Sequence, residues 1–190
     1  MKQELLGDTA AVKGTMLNAH LSWAREHISE DLGCLRPHID AESHRFVDAQ
    51  VLSMSWVPLR SLVVIDKAIA AVVGGRPEEV FLELGRHSAA RNLGGIYKSF
   101  VSDEPHKFFS QIAVHNAFQN FGKVSYEQTG ERSGCIKLAQ YLEYSPVYCA
   151  SAMGFYEEAL KVMKAPGPIT VSETSCQCAG DQACCFDLKW

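Results

Sequence analysis

The stretch GPITVSETSCQCAGDQACCFDLKW, residues 167–190, closes the chain and carries Cys176, Cys178, Cys184 and Cys185. Its β-rich alternation on either side of Ala179-Gly180-Asp181 predicts two antiparallel strands joined by a turn. Working backwards, SPVYCASAMGFYEEALKVMKA (145–165) has helical period. KVSYEQTGERSGCIKLAQY (123–141) reads as two further strands joined at TGERSG. The end of the chain is therefore a small antiparallel sheet with one helix inserted.

Everything upstream reads as helix. VKGTMLNAHLSWAREHIS (12–29) sets Met16, Ala19, His20, Trp23 and His27 at three- and four-residue spacings. A short helical stretch follows at ESHRFVDAQ (42–50). In SMSWVPLRSLVVIDKAIAAVVGG (53–75), Ser55 is read as a cap, Pro58 as a first-turn residue and Gly74-Gly75 as the stop. RPEEVFLELGRHSAARNLGGIYKSF (76–100) opens on Pro77 with two glutamates and is interrupted at Gly94-Gly95. EPHKFFSQIAVHNAFQNFG (104–122) starts near Pro105 and ends before Gly122. Helices first, then antiparallel strands around one helix, predict an α+β domain: N-terminal helices on a small sheet, with the C-terminal β-hairpin clamped to a helix.

The chain has 190 residues, 47% hydrophobic and 21% charged, with a net charge of -4. That composition suits one globular domain with a sizeable core. The charge gives no basic footprint, so nucleic acid is not an expected partner. The start, MKQELLGDTAAVKGTM, lacks the apolar run of a signal peptide. The best apolar stretch, SLVVIDKAIAAVVGG, contains Asp66 and Lys67, so no membrane span is expected. A cytoplasmic location follows as an expectation. In a reducing compartment, seven cysteines read as metal ligands or buried thiols before disulfides.

Within the last stretch the spacings are C-x-C and C-C, with no C-x-x-C. Neighbours in a strand point to opposite faces, so a regular hairpin does not bring all four thiols to one ion. A tetrahedral site needs four ligands from Cys, His or acid, and Glu173 and Cys149 are candidates to complete one. Cys34 and Cys135 read as ordinary buried or half-buried thiols.

The ending ETSCQCAGDQACCF, with E-x-x-C-x-x-x-G-x-x-x-C inside it, resembles the C-terminal signature of 4-vinyl reductase-like domains. These belong to a ligand-binding superfamily with the Bet3-type trafficking subunits and, more distantly, the haem-based nitric oxide sensors. VKGTMLNAHL, SWVPLRSLVVIDKAIAAVVGG and ELGRHSAARNLGG further look like an uncharacterised bacterial family ending in such a domain. The resemblance implies a single 4-vinyl reductase-like domain over 1–190, with family-specific helices at 1–75 and the family core at 76–190. It also implies a structural zinc ion on Cys149, Glu173, Cys176 and Cys184, leaving Cys178 and Cys185 as spares. With four protein ligands such an ion clamps the hairpin to the helix and activates no water. The nitric oxide sensors hold haem through a histidine and a Y-x-S-x-R cluster. Here Tyr97 and Ser99 are followed by Val101, so haem is not expected.

Three functional readings follow. The first is a non-enzymatic sensing or carrier module for a hydrophobic small molecule, with a pocket lined by Trp56, Leu59, Phe108, Ile112, His115, Phe118, Tyr148 and Phe155. It would act through a partner or as a homodimer. The second is a Bet3-like interaction or scaffold protein, pairing through the apolar face of SWVPLRSLVVIDKAIAAVV. The third, an enzyme acting on tetrapyrrole vinyl groups, rests on the family name alone, and no redox-cofactor motif supports it. Arg86, His87 and Arg91 are read as a solvated helix face with the capacity to hold an acidic group.

Overall fold

The computed structural model describes residues 3–49, 51–114 and 118–190, with backbone alone at 112–114. In chain order the elements are β1 (Ala11–Lys13), α1 (Gly14–His27), α2 (Ala41–Asp48), β2 (Trp56–Pro58), α3 (Leu59–Val73) and α4 (Pro77–Gly94). They continue with α5 (Pro105–Val114), β3 (Lys123–Gly130), β4 (Ser133–Ala139), α6 (Pro146–Val162), β5 (Thr170–Ser175) and β6 (Ala183–Lys189). The expected α+β architecture is present.

Local chemistry accounts for most helix ends. Pro77 occupies the first turn of α4 with Glu78 and Glu79 beside it, and Arg91 sits in the last turn, each sign matching the helix dipole. Ser145 caps α6 by accepting from the Val147 N–H at 3.2 Å, and Asp40 caps α2 by accepting from Ser43 at 2.8 Å. Gly74 ends α3 at φ 78° and ψ -174°, a positive-φ conformation open to glycine.

Three local expectations are corrected. Ser55 is not the cap of α3: Pro58 holds that position, and the Ser55 hydroxyl donates to the Leu52 carbonyl at 2.7 Å. Residues 11–13 and 56–58, expected within or beside helices, form a two-stranded antiparallel sheet pairing Val12 with Val57. Three-residue strands are too short to show a period in sequence. The helix from Pro105 is described to Val114 and is over by Phe118, so it does not run on to Gly122; residues 115–117 lie outside the described residues.

The main sheet has the order β3-β4-β6-β5, antiparallel throughout. β4 and β6 are its central strands, and their inward residues Ile136, Leu138, Cys184, Phe186 and Leu188 are buried. α6 packs on β5 and β6, α5 on β3, and α4 lies against α6. α1 and α3 pack on α4 in turn, so one buried cluster runs from Ala10 to Trp190. Among the described residues, no helix is long and apolar enough to cross a membrane.

Candidate functional site

Glu173 and Cys176 lie three apart, so a regular strand would aim them at opposite faces. The register of β5 on β6 shifts between Glu173 and Ser175, where two steps on β5 oppose one on β6. This bulge, followed by a 3-10 turn over Gln177–Ala179, re-aims the chain. The turn is closed by Gly180 at φ 102°, and the Asp181 carboxylate accepts from the Cys176 N–H at 2.8 Å. As a result the donor atoms of Cys149, Glu173, Cys176 and Cys184 all lie within 4.8 Å of one another. Cys149 comes from the first turns of α6, so the cluster joins that helix to the hairpin.

Within it, Cys149 Sγ and Cys184 Sγ are 3.5 Å apart, and Cys176 Sγ is 3.9 Å from Cys184 Sγ. Tyr141 Oη stands 2.9 Å from Cys184 Sγ, and the Gln177 N–H donates to it at 3.3 Å. Hydrogen bonding with Cys149, opposed by burial and aided by Tyr141 and Gln177, brings the Cys184 thiol down to about 6. Hydrogen bonds to Cys176, Cys178 and Cys184 instead drive the Cys149 thiol up. The arrangement therefore favours thiolate character at Cys184, the form that binds metal ions.

Cys178 is buried beside this set and hydrogen-bonded with Cys149, which lowers its own thiol. Cys185 faces the other side of β6, towards Cys135, whose thiol burial pushes up to about 11. Cys34, expected to be buried or half-buried, is exposed.

The second concentration of side chains is aromatic. Phe108 and Phe109 meet edge to face at 5.2 Å, Phe109 reaches Tyr156 at 6.2 Å, and Tyr156 reaches Phe155 at 6.2 Å. Phe155 then meets Phe118 at 5.9 Å, and Phe118 meets Tyr97 at 4.7 Å. Tyr148 packs on Phe121 at 5.4 Å and donates its hydroxyl to Gln119. Of the expected pocket residues, Phe108, Phe118 and Phe155 are thus joined in one run of rings, with Tyr148 on the same helix as Phe155. Leu59 is fully buried in the core. Trp56 stands apart at the surface, 46% exposed, with Lys13 Nζ 3.6 Å from its ring centre. The side chain of Ile112 and all of His115 lie outside the described residues.

The residue missed by sequence reasoning is Tyr97. Its hydroxyl is buried without a hydrogen-bond partner among the described residues, and burial raises its pKa. The only available signal was the incomplete Y-x-S-x-R pattern, which led away from it.

The other histidines and arginines divide. His20 is fully buried with Nδ1 2.8 Å from Asp66 Oδ1, and His27 stacks on Trp23 with ring centres 4.1 Å apart. His106 uses both ring nitrogens, on Tyr126 Oη at 2.6 Å and the Glu131 carbonyl at 2.9 Å. Arg86 is bound by Glu157 at 2.6 Å and Glu83 at 2.5 Å, so it is not available to a ligand. Arg91 donates to Ser22 at 3.1 Å.

No family model and no curated protein matches the chain. Solved structures do. One that probes haem distortion in the H-NOX family matches at TM-score 0.69 and 14% identity, covering 94% of both chains. An oxygen-binding H-NOX domain related to soluble guanylate cyclases, in its oxygen complex, matches at 0.68 and 14%, covering 93% of this chain and 94% of that one. An Fe(II) unliganded H-NOX mutant from K. algicida matches at 0.68 and 11%, covering 93% and 95%. The chain shares their fold.

These neighbours correct the expectation of structural zinc as the cofactor: the group named for the H-NOX family is haem. Nor do they carry the narrower 4-vinyl reductase and Bet3 resemblance forward. Of the residues weighed for haem in the sequence, position 101 is valine where the expected cluster has arginine, His106 has both ring nitrogens engaged, and His115 lies outside the described residues.

Proposed function

We propose that this chain is a non-enzymatic ligand-binding sensor module that takes up an apolar or aromatic small molecule beside Tyr97. One observation carries the reading. The Tyr97 hydroxyl is buried and unpaired at the end of a run of aromatic rings. A buried hydroxyl without a partner costs roughly 1–3 kcal/mol, so it is retained where something else pairs with it. Apolar walls with one orienting polar group are the usual make-up of a small-molecule site. The H-NOX likeness supports a sensing fold, and such a module would signal through a partner or its own homodimer.

Native mass spectrometry of protein purified from its own host tests this. The expected result is a retained small molecule released on denaturation. Titration with haemin should give no saturable Soret band. A stoichiometric Soret band would replace the apolar ligand with haem, and an empty protein bound to a second chain would favour the scaffold reading.

A second reading concerns the thiols. Cys149, Glu173, Cys176 and Cys184 are proposed to hold a thiophilic metal ion, supported by four donors within 4.8 Å of one another on three separate segments. Elemental analysis of protein purified without added metal should show near-stoichiometric metal of one kind. Metal-free protein whose folding ignores chelators would overturn it.

A further inference from the structure

A cavity of about 710 Å³ lies between α1, α2 and α4 and is not used by the function proposed above. Its walls carry Thr15, Asn18, Ser22, Arg25, Arg91 and Asn92. The polar floor is fixed internally. Thr15 donates to Asn92 Oδ1 at 2.5 Å, Asn92 Nδ2 donates to Ser88 at 3.1 Å, and Asn18 Nδ2 donates to the Val51 carbonyl at 2.7 Å.

The two arginines set this cavity apart. Arg36, Arg45, Arg60, Arg76 and Arg86 each have a carboxylate within 4.0 Å. Among the described residues, Arg25, Arg91 and Arg132 have none, and the first two line the same cavity, one from α1 and one from α4. Two carboxylates also line it: Asp48, already held by Arg36 at 2.7 Å, and Glu30. Counting that pairing, the cavity keeps a positive balance. A guanidinium offers a planar fork of donors that matches a carboxylate or phosphate, and two of them facing one half-enclosed space suit an anion.

We infer that this cavity is a binding site for a small organic anion, a carboxylate or phosphate ester, clasped between Arg25 and Arg91. The cavity wall also reaches Gly95 and Ile96, next to Tyr97 in the chain, so binding of the anion and of the ligand proposed beside Tyr97 is measured separately.

Isothermal titration calorimetry with succinate and with pyrophosphate, at constant ionic strength, tests the assignment. Saturable binding of at least one probe is expected, and the tighter of the two separates carboxylate from phosphate preference. Arg25→Gln and Arg91→Gln should each weaken binding at least tenfold while circular dichroism stays unchanged. Arg132→Gln, which removes an arginine outside the cavity, should leave it intact. If either Gln variant fails to fold, Arg25→Lys and Arg91→Lys retain the charge and should weaken binding several-fold through loss of the fork. No saturable heat from either probe, or equal affinity in the cavity variants and the wild type, would overturn the proposal.

Discussion

Gly85 of α4 and Gly154 of α6 face one another where the two helices cross. A Cβ on Gly85 would run into the Ser151 carbonyl oxygen, and one on Gly154 into the Leu82 carbonyl oxygen. The two backbones therefore approach more closely than helices with ordinary side chains between them, which pack roughly 8–10 Å apart. This crossing carries the site, because α4 leads to Tyr97 and α6 supplies both Cys149 and Phe155.

Gly154→Ala and Gly85→Ala should each destabilise the fold. Alanine favours a helix over glycine by about 1 kcal/mol, but forcing a methyl into backbone contact costs about 1–3 kcal/mol, occasionally more, and here the opposing atoms belong to a rigid helix. A net loss of about 1–2 kcal/mol corresponds to a fall in Tm of roughly 2–8 °C for a chain of this size. Gly94→Ala is the control: nothing lies within 4 Å of its Cβ position, so it should be neutral or mildly stabilising. Thermal melts of the three variants check this.

Glu143 ties down the start of the chain. Its carboxylate accepts from the N–H groups of Gly7 at 2.9 Å, Thr9 at 2.9 Å and Ala10 at 3.0 Å, and from the Thr9 hydroxyl. Burial works to raise its pKa, but those hydrogen bonds prevail and hold it below the ordinary value of 4.5. Because the folded value is the lower one, its contribution to stability is complete above pH 4.5 and is lost as pH falls through the folded value. Glu143→Gln should cost about 1.5–3 kcal/mol at pH 7, and the gap from wild type should narrow in acid below pH 4.5. Urea unfolding at several pH values measures both.

Much of this was legible in the sequence, for identifiable reasons. Pro77, Pro146, Gly74 and Gly180 mark element ends through φ preferences that hold wherever they occur, so the order of helices and strands could be read directly. The gathering of Glu173 with Cys176 could not be read from spacing, because it depends on a register shift that no residue type announces. Gly85 and Gly154 offered a weak cue, since glycine inside a helix is costly and is usually kept for packing. Which helix each one meets is a tertiary fact. Tyr97 was passed over because its importance lies in the absence of a partner, which only the surrounding packing reveals.

The thiol cluster separates the cysteines by face. Cys149→Ser and Cys184→Ser each remove a donor from the set of four, so both should lower the melting temperature and abolish its sensitivity to a chelator. Cys185→Ser alters a half-buried thiol on the opposite face of β6 and should melt, with or without chelator, as wild type does. Equal behaviour of all three variants would reduce the cluster to ordinary core packing.

Tyr97→Phe isolates the one hydroxyl on which the ligand reading depends. In the free protein the substitution removes a buried, unpaired polar group, so it should raise stability by about 1 kcal/mol or more. In the presence of the ligand the order should reverse, since wild type then gains a hydrogen bond that the variant lacks. The measurement is the melting temperature of both proteins with and without the molecule recovered from the host, compared at matched concentration. Wild type should gain more than Tyr97→Phe. If ligand raises both melting temperatures equally, the hydroxyl does not touch it, and the binding position beside Tyr97 is wrong. Phe118→Ala, which removes the ring 4.7 Å from Tyr97, should weaken binding whichever way the hydroxyl result falls, provided the ligand lies against that run of rings.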